Sequence, residues 1–326
     1  MRCLIDADLL RYECGVGSFL NKEGEEIKIT FDSAAEKLDQ KVKEIDALCW
    51  GDGEPLLFLS MCAKVKKNQN KAKARKVKRL EKRLEENPLD GMVQQEIKTL
   101  MEEQVYKPNF RAKVASKKEY KGNRKNTEKP LHYVALTEYM LATYEVVMAE
   151  GLEADDLLSI YQRKALKENK DPTTIICSRD KDLKITPGMH FSWECGRQSQ
   201  FGPEMVSELG RLNFIYRGKT AKGEPKLHEV KGTGLLFFCT QLITGDSTDN
   251  IPGVPGAGPA AVKKALEGLD TYSDAIRAVK ELYVKKFDDD WQENMLEQGQ
   301  LLWMVAELDD EGLPVMWQIP EEILNE

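Results

Sequence analysis

Cys3-Leu4-Ile5-Asp6-Ala7-Asp8-Leu9, near the start of the chain, has the composition of a short buried strand that ends in carboxylates. Three more apolar runs without polar alternation lie at 56–60, 144–148 and 173–177. Uninterrupted runs of this kind are typical of a parallel sheet that is covered on both faces. Helical patterns alternate with the strands, at 34–48, 131–143 and 154–167. The sequence therefore predicts an α/β fold in which a mostly parallel sheet is flanked by helices.

The composition is that of a folded chain in water. With 326 residues, the chain is long enough for one large domain or two modest ones. Its 32% of charged and 41% of hydrophobic residues argue against a mostly disordered protein. No apolar run approaches the roughly 20 residues of a membrane helix, and the first residues lack the apolar stretch of a signal peptide. We therefore expect no membrane contact and a cytoplasmic location.

The cysteines point to the same compartment. They are seven in number, without any Cys-x-x-Cys pair, at positions 3, 14, 49, 62, 177, 195 and 239. An odd and scattered set predicts reduced thiols and argues against a structural zinc site.

The net charge of −7 is distributed unevenly along the chain. Residues 64–129 hold 21 Lys and Arg against nine Asp and Glu, whereas the remainder holds 27 basic and 46 acidic residues. Within this segment, Lys64–Arg83 contains 11 bases and a single acid, which is too one-sided for ordinary i,i+4 salt bridging. A contact with nucleic acid or phosphate is therefore favoured over a merely solvated pair of helices.

The same segment has a helical pattern that is interrupted once. Apolar residues recur at helical spacing on both sides of Asn87-Pro88-Leu89-Asp90-Gly91, a stretch typical of a turn. They are Val77, Leu80 and Leu84 before the turn, and Met92, Val93, Ile97, Leu100, Met101 and Val105 after it. We predict an antiparallel helical hairpin over 64–105, inserted into a domain that covers 1–233. The remaining residues, 234–326, have a largely helical pattern and form a second predicted module.

Four groups of acids stand where strands or turns are predicted to end. They are Asp6 with Asp8, Glu153-Ala154-Asp155-Asp156, Asp180-Lys181-Asp182, and Asp246-Ser247-Thr248-Asp249. Each group alone is explained as well by helix capping or by a braced turn. Together at one sheet edge they would repel each other strongly unless cations held them.

The types of residue in these groups select the ion. Oxygen ligands without a His or Cys set favour Mg²⁺ or Mn²⁺ over zinc, and none of the three histidines is spaced like a metal-ligand pair. The chain also lacks a Gly-x-x-x-x-Gly-Lys phosphate loop. An acidic divalent-metal site beside a basic segment indicates phosphodiester chemistry with two metal ions.

The chain resembles the bacteriophage and bacterial 5′→3′ exonucleases and flap endonucleases over most of 1–270. The motifs, in the family's order, are Leu4-Ile5-Asp6, Asn109-Phe110-Arg111, Tyr120-Lys121-Gly122-Asn123-Arg124, Glu153-Ala154-Asp155-Asp156, Ser178-Arg179-Asp180-Lys181-Asp182, and Gly245-Asp246 through Gly258. The resemblance implies a PIN-like nuclease domain with a helix-three-turn-helix module and two divalent metals. It also implies substrates with 5′ ends or flaps, in DNA or RNA–DNA hybrids. A monomer that works with replication proteins in primer removal or DNA degradation is the corresponding expectation, in the host cytoplasm if the chain is phage-encoded.

The resemblance also implies roles for individual residues. Asp6, Glu153, Asp155 and Asp156 are similar to ligands of a first metal, and Asp180, Asp182, Asp246 and Asp249 to those of a second, although the division of oxygens between the ions stays open. Lys121 and Arg124 are similar to a basic pair that stabilises charge at the scissile phosphate. The other implied DNA contacts are Arg111, Tyr120, Gly253, Gly256, Gly258, Lys263 and Lys264. In the turn 253–258, glycines would let the backbone approach phosphates, and a K⁺ ion is expected there.

The sequence departs from the family pattern at two places. The family has an acid just after the second strand, whereas Leu59-Ser60-Met61 offers none, so the first metal would be held more weakly or through another acid. The stretch between Arg124 and Leu131 is too short for the family's helical arch. We expect the hairpin at 64–105 to guide the single strand instead.

Two other functions remain open at this stage. A structure-specific DNA-binding protein that has lost catalysis would explain Met61 but not the eight acids. A PIN-type ribonuclease would leave the glycines of 253–258 unexplained, although a plain helix–helix turn would use the same glycines.

Overall fold

A six-stranded sheet forms the centre of the molecule. The computed structural model describes residues 1–21, 23–61, 63–88, 90–102, 109–124, 127–219 and 223–325. The strands are β1 (Arg2–Asp6), β4 (Leu56–Ser60), β5 (Val146–Ala149), β6 (Thr174–Cys177), β7 (Gly188–Ser192) and β8 (Phe201–Val206), in the order β5-β4-β1-β6-β7-β8. All neighbours are parallel except β7 and β8. The predicted α/β class with a mostly parallel sheet is confirmed.

Strand β1 lies in the middle of the sheet and ends earlier than the sequence predicts. Leu4 and Ile5 are buried between β4 and β6. Helix α1 (Ala7–Glu13) begins directly after Asp6, because the Asp6 carboxylate accepts a hydrogen bond from the backbone N–H of Asp8 and caps the helix. The prediction of a strand through Leu9 is therefore wrong for residues 7–9, which belong to α1. Asp6 stands at the junction of the strand and the helix.

Helices cover both faces of this sheet. The three predicted helices are present as α2 (Phe31–Leu48), α6 (Tyr133–Thr143) and α7 (Ala154–Glu168). Apolar side chains of α2 and α6 pack on one face, and those of α7 on the other. A small antiparallel pair, β2 (Ser18–Leu20) and β3 (Glu26–Lys28), precedes α2. None of the described helices combines the length and the apolar composition that a membrane crossing needs.

The C-terminal part is helical, as predicted, but a β-hairpin that was not predicted precedes it. Its strands are β9 (Arg211–Lys219) and β10 (Pro225–Thr233), and its helices are α8 (Gly234–Thr244), α9 (Pro259–Leu266), α10 (Tyr272–Phe287), α11 (Trp291–Leu302) and α12 (Glu321–Leu324). The predicted domain boundary falls at the junction of β10 and α8. Apolar side chains of α8 share one core with those of β1 and α7, and the division into two domains stays a prediction.

The predicted helical hairpin is present as α3 (Ala63–Glu86) and α4 (Gly91–Glu102). Leu80 and Val93 are buried at 5% and 3% exposure, as expected of facing apolar stripes. Met92 is 86% exposed, so its predicted place in the stripe is wrong. The end of the predicted hairpin, 103–105, lies outside the described residues.

A buried ion pair fastens the segment after this hairpin to the rest of the chain. Helix α5 (Arg111–Val114) carries Arg111, whose guanidinium donates two hydrogen bonds to the Asp156 carboxylate, at 2.7 and 2.8 Å. It also donates to the backbone carbonyls of Leu301 and Trp303. Both charged side chains are almost completely buried. The pair therefore joins α5, α7 and the end of α11 at one point.

Removal of one partner of this pair should destabilise the protein strongly, because the other charge stays buried without compensation. We expect Asp156→Asn or Arg111→Ala to lower the free energy of unfolding by about 3–5 kcal/mol. Urea denaturation at neutral pH measures the difference. Lys117→Ala, which removes an exposed pair with Glu293, is the control and should change stability little. Unchanged stability with lost metal binding in Asp156→Asn would make Asp156 a ligand after all.

Candidate functional site

The predicted acids meet at the carboxyl edge of the sheet, where the strand order changes direction between β1 and β6. In open α/β sheets, ligands bind in the crevice at such a position. A pocket at this edge is lined by acids, bases and a few apolar residues. The lining residues include Glu153, Asp155, Asp180, Asp182, Asp246 and Asp249, with Tyr120, Lys121, Arg124 and Lys181, and the wall from Leu301, Leu302 and Met304. Asp6, 2% exposed, is buried at the end of β1.

Asp6, Asp155 and Asp180 form the first acidic group. Burial, the charge of Asp8 and then that of Asp180 raise the pKa of Asp6 to about 7. Burial and the charges of Asp6 and Asp180 raise the pKa of Asp155 well above its usual range. Ser178 donates a hydrogen bond to Asp6 and stabilises its charge in part. These raised pKa values reflect repulsion between closely spaced carboxylates in the absence of a cation.

Asp182, Asp246 and Asp249 form the second group, and Asp180 contributes to it as well. Burial and the charge of Asp180 raise the pKa of Asp182. Burial also raises the pKa of Asp249. Although burial opposes it, the ammonium of Lys181 lowers the pKa of Asp246, whose carboxylate lies 3.0 Å from it. Asp180 therefore lies between the two groups and acts electrostatically on both.

Two predicted catalytic bases reach into the acids from the segment 120–124. The Lys121 ammonium lies 2.6 Å from Glu153 and 3.7 Å from Asp249. The Arg124 guanidinium lies 3.0 Å from Asp249. Lys121 has a left-handed backbone, φ 54°, and its N–H donates to the Asp249 carbonyl. The backbone is thus fixed where both side chains can serve as counter-charges to the acids.

Glu153 is held by two neighbouring side chains, Lys121 and Tyr120. Although burial opposes it, the positive charge of Lys121 lowers the pKa of Glu153 below its usual range. The Tyr120 hydroxyl lies 3.0 Å from a Glu153 oxygen and 3.0 Å from an Asp249 oxygen. Tyr120, predicted to contact DNA, here bridges two acids at the pocket wall.

Asp156 and Arg111 are bonded to each other, although Arg111 also lines the pocket, 3.9 Å from Glu153. Both oxygens of Asp156 accept hydrogen bonds from Arg111, and the side chain is fully buried. Backbone N–H groups of Glu153 and Val305 donate to the same carboxylate. The predicted roles of Asp156 as a metal ligand and of Arg111 as a DNA contact do not fit this arrangement, because each group is already saturated by the other. Asp156, at the third position of α7, has the spacing expected of a ligand, but its side chain points to Arg111 instead of the other acids.

Several residues that sequence reasoning missed complete the site. Gln241 donates to the Asp182 carboxylate at 2.6 Å, and the Thr248 N–H donates to Asp246 at 2.7 Å. Asp8 accepts a hydrogen bond from the Ser60 N–H, so an acid reaches the end of β4 from a neighbouring element, although Asp8 is also paired with Arg11. Lys181 could have been predicted from the sequence, since it stands between two predicted ligands. Gln241 carried none, because it lies on a helix remote in sequence.

The turn between α8 and α9 lies beside the second acidic group. Gly253 has φ 67°, and a Cβ there would meet the backbone of Gly245 at 2.2 Å, so glycine is required for the turn itself. Gly258 has an ordinary φ of −137° and open space in front of it. Lys263 donates to the Tyr216 hydroxyl on β9, and Lys264 is exposed. Lys263 thus connects α9 to the unpredicted β-hairpin, whereas Gly253 is buried, so its predicted contact with DNA does not fit.

The donor set fits hard divalent cations. Its acids are all oxygen donors, as Mg²⁺ and Mn²⁺ prefer. The raised pKa values of Asp6, Asp155 and Asp182 show that the acids of both groups lack positive charge. Three basic side chains supply only part of it. Divalent cations at this edge would supply the remainder.

Comparison with known proteins agrees with this chemistry. Residues 52–193 match the family model described as 5'-3' exonuclease, N-terminal resolvase-like domain. The 5'-3' exonuclease of Mycoplasma pneumoniae is 30% identical over 171 residues, which are 51% of this chain and 50% of that protein. DNA polymerase I of Rhizobium leguminosarum is 30% identical over 142 residues, 42% of this chain and 12% of that protein. The chain thus spans half or less of the length of these two relatives.

The fold has a counterpart among solved structures. A bacteriophage T5 flap endonuclease, in a pseudo-enzyme–product complex with DNA and metal ions, aligns with a TM-score of 0.51. The alignment covers 93% of this chain and 89% of that one at 13% identity, so the likeness concerns the fold. The sequence match covers β4 through β7 and includes two of the four acidic groups, Glu153–Asp156 and Asp180–Asp182. Segment 52–193 of the chain is thus similar to the N-terminal domain of 5'-3' exonucleases.

Proposed function

We propose that this chain is a divalent-metal-dependent nuclease that hydrolyses phosphodiesters near the 5′ ends of DNA or RNA–DNA hybrids, as a 5′→3′ exonuclease, a flap endonuclease or both. The observation that carries the proposal is one pocket in which acids from three separate segments lie beside Lys121, Arg124 and Lys181. A DNA-binding protein without catalysis would have no need to gather acids that repel both each other and the ligand.

The metal ligands of this proposal are the seven acids that the fold gathers. Asp6, Asp155 and Asp180, with Glu153, would hold one ion, and Asp180, Asp182, Asp246 and Asp249 a second. Ions bound there, Mg²⁺ or Mn²⁺, would supply water activation and charge stabilisation at the phosphate. The division follows the two groups in which each acid raises the pKa of its neighbours.

Lys121 and Arg124 have a distinct task in this proposal. Their cations now compensate Glu153 and Asp249. When metal ions neutralise those acids, the two side chains are free to interact with a phosphate at the pocket mouth. There they would stabilise the negative charge that grows in the transition state.

The surface beside the pocket would bind the duplex. Gly256 is exposed in the turn 253–258, and Lys263 and the exposed Lys264 lie on the helix that follows. A K⁺ ion in this turn is part of the proposal. The basic hairpin of α3 and α4 would guide the 5′ single strand. Replication primer removal or DNA degradation in the cytoplasm, by a monomer together with replication proteins, is the proposed setting.

A labelled 5′ flap and a nicked duplex, incubated with and without Mg²⁺, test this function. We expect cleavage of both substrates with Mg²⁺ and none after chelation. Duplex binding measured in Ca²⁺ or chelator provides the control that the protein is folded and active in binding. Tight binding without cleavage in either Mg²⁺ or Mn²⁺ would support the catalytically inactive binding protein instead.

Metal affinity should rise with pH. The pKa of Asp6 is about 7 in the folded protein, so this group binds its proton more tightly than in the unfolded chain. In the metal-free protein, the stability that the protonated Asp6 contributes is therefore lost as the pH rises from about 4 through about 7. Mg²⁺ competes with that proton and should bind more tightly at about pH 8 than at about pH 6. Calorimetry in two buffers of different ionisation enthalpy should detect proton release, and a pH-independent affinity would contradict the proposed ligand role of Asp6.

Lys121→Ala should slow the chemical step more than it weakens substrate binding. A cation that acts on developing charge contributes mostly to the transition state, and we expect a loss of about 100- to 1000-fold in the single-turnover rate. Lys118→Ala, an exposed base three residues earlier, is the matched control. If affinity falls and the single-turnover rate does not, Lys121 only positions the substrate.

Gly258→Ala should weaken duplex binding without harm to the fold. The added Cβ meets no atom of the described chain and the backbone φ suits alanine, but the methyl group would separate the backbone from a phosphate. Gly91→Ala, which also points into open space, is the control in the basic hairpin. Fluorescence anisotropy with a plain duplex measures the change. Equal affinities in both variants would argue that the turn is only a helix connection.

A further inference from the structure

Three cysteines that are far apart in the sequence meet in the core. Cys3 lies on β1, Cys177 is the last residue of β6, and Cys49 directly follows α2. Their sulfur atoms all lie within 4.8 Å of one another, and all three side chains are completely buried. The cluster belongs to the face of the sheet that α2 covers. It is therefore separate from the acids at the carboxyl edge.

The spacing of the sulfur atoms suits a common ion. Zinc–thiolate bonds of about 2.3 Å at tetrahedral angles place two sulfurs about 3.8 Å apart. The Sγ atoms of Cys49 and Cys177 lie 3.6 Å apart. Three sulfurs within 4.8 Å therefore need only small side-chain rotations to reach one ion.

The electrostatics of the cluster favour an anionic sulfur. Hydrogen bonds from the Cys177 and Cys3 thiols lower the pKa of Cys49 to about 5. The two donors keep their protons: burial and the hydrogen bonds to Cys3 and Cys49 raise the pKa of Cys177, and, although its hydrogen bond with Cys177 opposes this, the hydrogen bond to Cys49 and burial raise the pKa of Cys3 to about 12. Within the cluster, Cys49 thus favours the thiolate form that binds metal, and two protonated thiols adjoin it.

An acid adjoins the thiols. Asp46, on α2, interacts with the Cys3 side chain, and its pKa is raised by burial and by Cys3. Its Oδ1 atom is buried and has no hydrogen-bond partner within the part of the chain that the structure describes. Asp46 therefore offers a carboxylate beside Cys3, outside the group of three sulfur atoms.

We propose that Cys3, Cys49 and Cys177 form a binding site for a thiophilic divalent ion, Zn²⁺, with Asp46 as the fourth ligand. Each thiol that is still protonated releases its proton to solvent as its sulfur binds the ion. The bound ion joins α2 to the two strands β1 and β6, and so stabilises the sheet that carries Asp6 and Asp180. Because the site is buried, the ion enters during folding or a local opening.

Spectroscopic titration of the full chain tests this site. The protein is purified in reductant, freed of metal and titrated with Co²⁺ under anaerobic conditions in excess Mg²⁺, which occupies hard oxygen sites. We expect one equivalent of Co²⁺ to produce a thiolate-to-metal charge-transfer band and tetrahedral visible bands. Added Zn²⁺ should abolish these bands by displacement and should raise the Tm of the protein.

Variants assign the signal to these residues. Replacement of an outer partner of a metal ligand costs about 10- to 100-fold in affinity, so loss of a ligand in Cys49→Ser or Cys177→Ser should cost at least about 100-fold. Asp46→Asn should weaken binding less and alter the visible bands. Cys239→Ser and Cys195→Ser are the matched controls and should bind as the wild type does.

Several results would overturn the proposal. A folded wild type that gives no charge-transfer band shows that the thiols only fill space. An undiminished band in Cys49→Ser and Cys177→Ser assigns the signal to other cysteines. If those variants do not fold, the wild type still decides, because Zn²⁺ must then protect three thiols from alkylation, with mass spectrometry identifying Cys3, Cys49 and Cys177. Protection of any other set contradicts the site.

Discussion

Mutual repulsion among carboxylates at one edge of the sheet is the constraint on which this structure depends. The fold brings Asp6, Asp155 and Asp180 together through strands and turns whose positions are fixed by a buried core. Their charges cannot be relieved by moving apart, so the surrounding structure relieves them by hydrogen bonds, by Lys121 and Lys181, and by raised pKa values. A site of this kind is stable in its charged form only with cations. The ions that stabilise the arrangement of the acids are therefore the same ions that the proposed chemistry uses.

Much of the frame could be predicted from the sequence. Continuous apolar runs located β1, β4, β5 and β6 to within a few residues, because a strand buried on both faces must be apolar throughout. Strands β7 to β10 escaped prediction, since their patterns are short or mixed and their pairing depends on partners elsewhere in the chain. The extent of β1 was misjudged because Asp6 caps a helix where the apolar run continues without a break.

The sequence predicts which residues form the site but not the directions in which their side chains point. The motifs named the acids that gather in the pocket. Asp156 shows the limit: neighbouring positions on a helix point to different sides, and only the structure reveals that one side meets Arg111. The cysteines show a related limit. Their scatter argued against a zinc site, yet β1, β6 and the end of α2 bring three of them together. Spacing in sequence identifies compact metal motifs and is silent about sites assembled from distant elements.

The ion pair of Arg111 and Asp156 has a consequence for biosynthesis. The guanidinium is satisfied only when the carbonyls of Leu301 and Trp303 are in place, and the same stretch provides one wall of the pocket. On a ribosome, every acid and base of the centre emerges well before this stretch does. The nascent chain therefore already contains all the acids and bases of the site while one wall of the pocket is still missing. The pocket is complete only when the end of α11 docks. Its assembly is postponed until residues 301–303 have been made.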